Sequence, residues 1–447
     1  MVAREARFAD WASLTPARQG AVIASAAERA QILEPKLNAF VKIMDALMCS
    51  TPTGPLGGVP YAAKDIFATT FRRASGGLSD AIDLGIAGSA EALHRLDAAG
   101  GRLIGITAMT ELAYEPSGYN SIHGRIRNPW NLDFVSGGSS AGSAAAVASG
   151  TAVVALGSDT GGSVRIPANC CGVTGWKPTF GIVPNAGALP LAPTLDVIGL
   201  LARSAADMQP AFEVLASDNL EAVDGIERAV VLTDIFAMTE PSVARACQEG
   251  IDALETCGVV IDRGTALDAI NVIDAHALIV MQAEAARVHV SLIDHPRLHP
   301  ILRKRLAKGL AIDDAALAAS SVAGRALAED FIKTVFAGAD VALLPVMPIR
   351  TPPASETDPA SESFRPRTLY ELSQFTRFVN MLGFPAVAAP VGFDDRGLPV
   401  CLQIVGRPLS DQALVAFAHR MQSKTNWHAR VPPSIADLIP DMEGIAA

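Results

Sequence analysis

Two hydrophobic periods alternate along this chain. At residues 22–33 apolar positions recur every three to four residues, the mark of an amphipathic helix, and residues 38–41 follow as a short strand. Residues 90–99 repeat the helical period and residues 102–106 the strand. An apolar run at 59–63, after a Gly-Gly turn, reads as a strand, while 144–147 and 153–156 read as a buried helix and a short buried strand. Further on, strand signals at 230–232 and 258–260 flank a helix over 243–255. Elements that interleave rather than segregate predict a layered α/β fold.

Composition then narrows the classes. The chain has 447 residues and a formal net charge of −10, which argues against nucleic acid held by general electrostatics. Its longest apolar candidate, 141–157, is broken by Ser143, Ser149 and Thr151, so no transmembrane helix is expected. The first twenty residues mix charges of both signs and lack the apolar core of a secretory signal. Six scattered cysteines make no disulfide framework, and the adjacent Cys170 and Cys171 read as packed small residues. A cytoplasmic protein is expected. No cluster of His, Cys and Asp has ligand spacing, so neither a metal nor another cofactor is implied. Motifs run without a break, so residues 1–447 are expected to form one domain. Within it, residues 204–335 are Ala-rich and largely helical, and the Pro-rich stretch 345–359 reads as a loop over the sheet edge.

Candidate chemistry concentrates in residues 136–179, where Gly137-Gly138 precede Ser139 and Gly161-Gly162 precede Ser163. Glycines reach positive φ and let backbone N–H groups approach a ligand. A serine hydroxyl beside free N–H groups offers both a nucleophile and an oxyanion hole, as acyl transfer needs. The plainer alternative is a pair of Gly/Ser loops, although both hang from apolar elements rather than a linker. None of the eight histidines stands in a distinctive setting. Lys64 does, at the end of the apolar run 59–63, where burial would favour its neutral form; a surface lysine beside Asp65 is the alternative. Gly138-Ser139-Ser140-Ala141-Gly142 also fits the G-x-S-x-G elbow, which would select Ser140. That pattern requires a strand just before it, and the lead-in at 127–131 is rich in turn formers.

The motifs GGVPYAAKD, MTELAYEPSGYNSIHGRIRNPWN, SGGSSAGSAAAVASG, ALGSDTGGSVRIPANCCGVTGWKPTFG and GFPAVAAPVGFDDRGLPVCLQIVGRP resemble the amidase signature family over nearly the whole chain. The spacings from Lys64 to Ser139 and from Ser139 to Ser163 are those of typical members. The resemblance implies a mixed central β-sheet between layers of helices, a Ser-cisSer-Lys triad and an acyl-enzyme. It makes Ser163 the nucleophile, Ser139 the bridging serine after a cis peptide, and Lys64 the base. Backbone N–H groups of Thr160, Gly161, Gly162 and Ser163 would form the oxyanion hole.

Gly137, Gly138, Tyr114, Tyr119 and Phe378 fall where family members contact substrate, and 204–335 is the part that varies and could roof the pocket. Arg165 and Asp159 are expected to organise the loop, with Lys177 outside the triad. The implied reaction is hydrolysis of a small carboxamide to carboxylate and ammonia. The alternatives are a glutaminase A subunit of a tRNA-dependent amidotransferase, or a hydrolase of biuret/allophanate-type or indoleacetamide-type substrates. A subunits commonly carry glutamine three residues after the nucleophile, where this chain has Ile166. A homodimer stays open.

Overall fold

The computed structural model describes residues 11, 14–44, 54–80, 82–86, 88–216 and 225–436. Residues 1–10, part of the stretch read for a secretory signal, and Cys49 lie outside them. The strands are β1 (Phe40–Ile43), β2 (Pro60–Lys64), β3 (Arg102–Thr107), β4 (Val154–Asp159), β5 (Thr174–Lys177), β6 (Val197–Ala202), β7 (Arg228–Leu232), β8 (Val260–Gly264), β9 (Val341–Pro345), β10 (Ala386–Phe393) and β11 (Pro399–Gly406). They form one 11-stranded mixed sheet in the order β1-β3-β2-β4-β6-β5-β10-β11-β9-β7-β8. β2 runs parallel to both β3 and β4, and β7 runs parallel to β8 and β9. The central pairings from β4 through β9 are antiparallel.

Both faces of this sheet are covered, which is why its strands read as nearly continuous apolar runs. Side chains alternate between two cores with the period of a strand. Leu200, Val387 and Leu402 face one core, shared with residues from helices Glu91–Ala98, Ala205–Leu215, Pro241–Thr256 and Asp411–Gln422. Leu201, Ala388 and Cys401 face the other, against helices Ala141–Ala148 and Arg165–Cys171. Farther along that second side, Val230, Leu232 and Leu344 pack with Phe331 and Phe378 from helices Asp314–Thr334 and Arg377–Leu382.

The structure moves several boundaries for identifiable reasons. The first helix spans Pro16–Leu37, longer than 22–33, because Thr15 accepts from the Arg18 N–H and Pro16 suits a first turn. Asn38, expected to open a strand, instead ends this helix in the left-handed conformation at φ 52°, so β1 starts at Phe40. Gly258 likewise sits in a turn at φ 83°, and β8 begins only at Val260. The Pro-rich loop does not cross a sheet edge. It leaves β9, an interior strand between β11 and β7, and its Pro352 carbonyl accepts from the Val135 N–H at 3.1 Å. Within the largely helical Ala-rich stretch, the strand expected at 230–232 forms as β7, and the one expected at 258–260 forms later, as β8.

Helix Ala141–Ala148 lies wholly buried, and its small residues let it approach the strands closely. The Gly142 N–H donates to the Ala108 carbonyl at 3.0 Å. A Cβ on Gly142 would stand 2.5 Å from that same oxygen and closer still to the Ala39 carbonyl. Both obstacles are backbone, so Gly142→Ala is expected to lower stability by about 1–3 kcal/mol in urea unfolding. An unchanged midpoint would show that the helix has room to retreat.

Candidate active site

Parallel strands β2 and β4 are neighbours, with Ala63 opposite Leu156, so their carboxyl ends deliver Lys64 and Ser158 to one point. The Lys64 side chain is fully buried. Its Nζ donates to Ser139 Oγ at 2.6 Å and to Ser158 Oγ at 2.8 Å. Desolvation is the largest influence on this amine and outweighs the carboxylates of Asp159 and Asp196, pulling its pKa down from 10.5 to about 7. Ser139 follows a cis peptide bond with Gly138 and is separated from helix Ala141–Ala148 only by its N-cap, Ser140. Its neighbour Ser140 donates its N–H to the Ser163 carbonyl at 3.2 Å, which brings the two glycine-flanked serines together.

Ser163 is half-buried, and among the described residues no group hydrogen-bonds to its hydroxyl. Ser140 differs: it is fully buried, donates to the Ser158 carbonyl at 3.2 Å and accepts from the Ser158 N–H at 3.3 Å. Its hydroxyl splices a helix start to β4, and no strand leads into it.

Asp159, at the end of β4, organises the loop that follows. Its carboxylate accepts from the N–H groups of Gly162 at 2.8 Å and Val164 at 3.1 Å, and from Arg165 Nε at 3.0 Å and Nη2 at 2.8 Å. Against a large burial penalty, the Arg165 guanidinium holds this carboxyl far below the usual range. Gly162 was expected to aim its N–H at an oxyanion. The structure instead gives that N–H to Asp159, because a buried carboxylate at a helix start draws the nearest donors. Among the described residues, the N–H groups of Thr160, Gly161 and Ser163 have no protein acceptor. Arg165 also reaches Gln403 Oε1 and Asn380 Oδ1, both at 2.6 Å, and the Thr376 carbonyl at 3.0 Å.

Distant residues that the motifs did not single out brace the same loop. Thr376 Oγ1 donates to the Gly161 carbonyl at 2.6 Å, Asn380 Nδ2 to the Asp159 carbonyl at 2.8 Å, and Thr160 Oγ1 to Asp196 Oδ1 at 2.6 Å. Burial pushes Asp196 up to about 6. The one local signal for Asp196 is a carboxylate opening a strand that is otherwise wholly apolar. Lys177 is also fully buried and stays outside the Lys64 cluster, donating to the Pro178 carbonyl at 2.7 Å.

The expected substrate contacts divide. Gly137 and Gly138 directly precede Ser139, ahead of helix Ala141–Ala148. Tyr114 lines a recess with Met281, Arg305, Ser373 and Arg377. A Cβ on Gly161 would touch Arg377 and Met281, so this recess adjoins the Gly161 loop. Tyr114 and Arg305 also border a second recess, lined by Tyr119 and His299. Phe378 reaches neither. It is fully buried, its ring 5.8 Å from that of Phe331. On its short helix, Arg377 and Asn380 share the face toward the loop, which turns Phe378 into the core.

A family model described as Amidase matches residues 21–415. The chain is 30% identical to the A subunit of the glutamyl-tRNA(Gln) amidotransferase of Thiobacillus denitrificans, covering 92% of this chain and 94% of that one. Among solved structures it is similar to one described as an amidase, at 30% identity and TM-score 0.80 over 91% of this chain and 96% of that one. It is also similar to the A subunit of the glutamyl-tRNA(Gln) amidotransferase of Thermotoga maritima, at 27% identity and TM-score 0.83 over 96% and 98% of the two chains.

The Asp159–Arg165 pair yields a stability prediction. Arg165→Met would leave Asp159 buried without its counter-charge, at an expected cost of about 3–5 kcal/mol in equilibrium urea unfolding. A loss below about 1 kcal/mol would mean that the backbone N–H groups suffice to hold the carboxylate.

Proposed function

Because this chain belongs to the amidase family, hydrolases acting on carbon–nitrogen bonds, we propose that it cleaves a small carboxamide to a carboxylate and ammonia. In this reading Ser163 is the nucleophile, Ser139 the relay and Lys64 the base. The observation that carries it is the 2.6 Å hydrogen bond from a fully buried lysine to Ser139, with the lysine pKa brought to about 7. A lysine in that range is half neutral near physiological pH and accepts a proton where a surface lysine does not.

Neutral Lys64 takes the Ser139 proton while Ser139 takes that of Ser163, whose oxygen bonds to the amide carbon. The carbonyl electron pair moves onto oxygen, facing the free N–H groups of Thr160, Gly161 and Ser163. Gly162 is left out of this set because Asp159 already holds its N–H. Collapse of the intermediate breaks the carbon–nitrogen bond, and the proton returns through Ser139 to the leaving nitrogen. Water then attacks the acyl-enzyme along the same relay and restores Ser163. The open Ser163 hydroxyl is consistent with a hydrogen bond that tightens only when substrate is bound.

The same proposal takes residues 1–447 as one amidase domain of a cytoplasmic enzyme. One sheet running through the variable region and five unpaired cysteines among the described residues support it. A second reading, a glutaminase A subunit working within an amidotransferase, draws support from the names of the relatives. Ile166 weighs against it, since its buried apolar side chain lies under Gly162 where A subunits commonly present a side-chain amide. Ammonia release by the isolated chain from a panel of aliphatic, aryl, indoleacetamide, ureido and glutamine amides separates the two. Turnover of glutamine alone, with partner subunits co-purifying, would favour the second.

Lys64→Ala and Ser163→Ala are each expected to lower ammonia release by about 10³-fold or more while circular dichroism stays native. Near-normal turnover by either variant would remove that residue from the mechanism. The working form of Lys64 is neutral, so kcat/KM should rise with pH through an apparent pKa of about 7 and then level. A profile already flat at pH 5 would exclude Lys64 as the base.

A further inference from the structure

Beyond the recess that adjoins the Gly161 loop lies the second one, and its chemistry differs. Glu111 and Glu115 both line it. Glu111 is only 7% exposed; its Oε1 accepts from the Ser121 N–H at 2.9 Å, and its Oε2 is buried without a partner. Glu115 repeats the arrangement, with Oε2 accepting from the Ser117 N–H at 3.0 Å and Oε1 buried and unpartnered. Buried polar atoms are nearly always satisfied, so two orphaned carboxylate oxygens in one recess call for a ligand that donates hydrogen bonds.

The surroundings define that ligand further. Leu302, Phe364, Tyr119 and His299 make apolar and aromatic walls, the last two rings standing edge to face at 6.4 Å. Arg305 is the one guanidinium in the lining, and it is held over the Tyr114 ring at 5.9 Å rather than within ion-pair distance of either glutamate. Two carboxylates against one guanidinium leave the recess short of positive charge. Burial raises the Glu115 carboxyl above its ordinary pKa, and a cation seated against it would draw it back to the ionised form.

The recess is also joined to the proposed chemistry. The Glu115 carbonyl accepts from Thr110 Oγ1 at 2.9 Å, and the Gly138 N–H donates to the next carbonyl, that of Pro116, at 2.7 Å. Tyr114 and Arg305 border both recesses, so the one with the glutamates shares a wall with the one beside Gly161.

We propose that Glu115 and Glu111 form a specificity subsite for a protonated amine carried by the substrate at the end remote from its scissile amide. This rests on the amidase reading and narrows its substrate class to amino-terminated carboxamides with an apolar spacer. Tyr119, His299 and Leu302 pack on the spacer, and the ammonium donates to the orphaned oxygens.

The test is a series of linear ω-amino carboxamides of increasing length. Each is paired with the amide bearing methyl in place of ammonium and with the one bearing carboxylate. At the best length, kcat/KM for the amine is expected to exceed that for the methyl amide about tenfold or more. Glu115→Gln, which keeps an oxygen for the Ser117 N–H, should reduce this ratio about tenfold. Equal or better turnover of the methyl or carboxylate amide at every length, or an unaltered ratio in the variant, would overturn the subsite.

Calorimetric titration with benzylamine and benzyl alcohol reads the subsite without turnover. Benzylamine should bind about tenfold more tightly to the wild-type chain and lose that advantage in Glu115→Gln. Indistinguishable affinities overturn the subsite even if amides are hydrolysed. Benzylamine selectivity in a chain that releases ammonia from no amide would uphold the subsite and defeat the amidase reading.

Discussion

The buried carboxylate of Asp159 is the constraint around which the site is built. An ionised carboxyl inside a protein is tolerable only when charge and hydrogen bonds replace the water it has lost. Arg165 supplies the charge through two contacts, and the Gly162 and Val164 N–H groups just before the helix that begins at Arg165 supply donors. Satisfying this one group fixes the path of the chain from β4 through Ser163. It also decides which N–H groups of that loop stay free. Arg165, buried in turn, needs acceptors of its own, and Gln403, Asn380 and the Thr376 carbonyl provide them from segments more than 200 residues away.

The same carboxylate reaches Lys64 through its field. Burial alone would drive that amine far toward its neutral form, while Asp159 and Asp196 favour the charged one. The balance leaves an amine in the range where both protonation states are populated. Asp196 adds a mechanical role, since it anchors Thr160 beside the free N–H groups. Two acids that touch no scissile bond thus govern both the basicity of the lysine and the geometry of the loop. The sheet makes this possible, because parallel β2 and β4 end side by side and their last residues need no loop to meet.

The interplay extends outward to the recesses. Arg377 is held bidentately by Asp274 at 2.8 Å while its stem packs on Gly161, so helix Leu267–Val288 of the variable region is tied to the loop. Side chains from that helix line the recess beside the Gly161 loop, and side chains from Pro300–Leu310 line both recesses. The part of the chain that carries the fewest motifs therefore shapes the space in which a substrate would lie.

Much of the layered architecture was legible in the chain itself, because helical and strand periods are local properties that burial on one or two faces imposes on neighbouring residues. The glycines before Ser139 and Ser163, and the lysine closing an apolar strand, stood out as candidates for the same reason. Boundaries slipped where a single residue's conformation ruled, as at Asn38 and Gly258. The fate of the Gly162 N–H, the bracing by Asp196 and Asn380, and the turning of Phe378 into the core were decided only by the tertiary structure. Asp196 and Asn380 meet the loop only because the fold brings distant segments together, and although Asp159 is three residues from Gly162, the loop path that gives it that N–H is set by the buried Arg165 contacts.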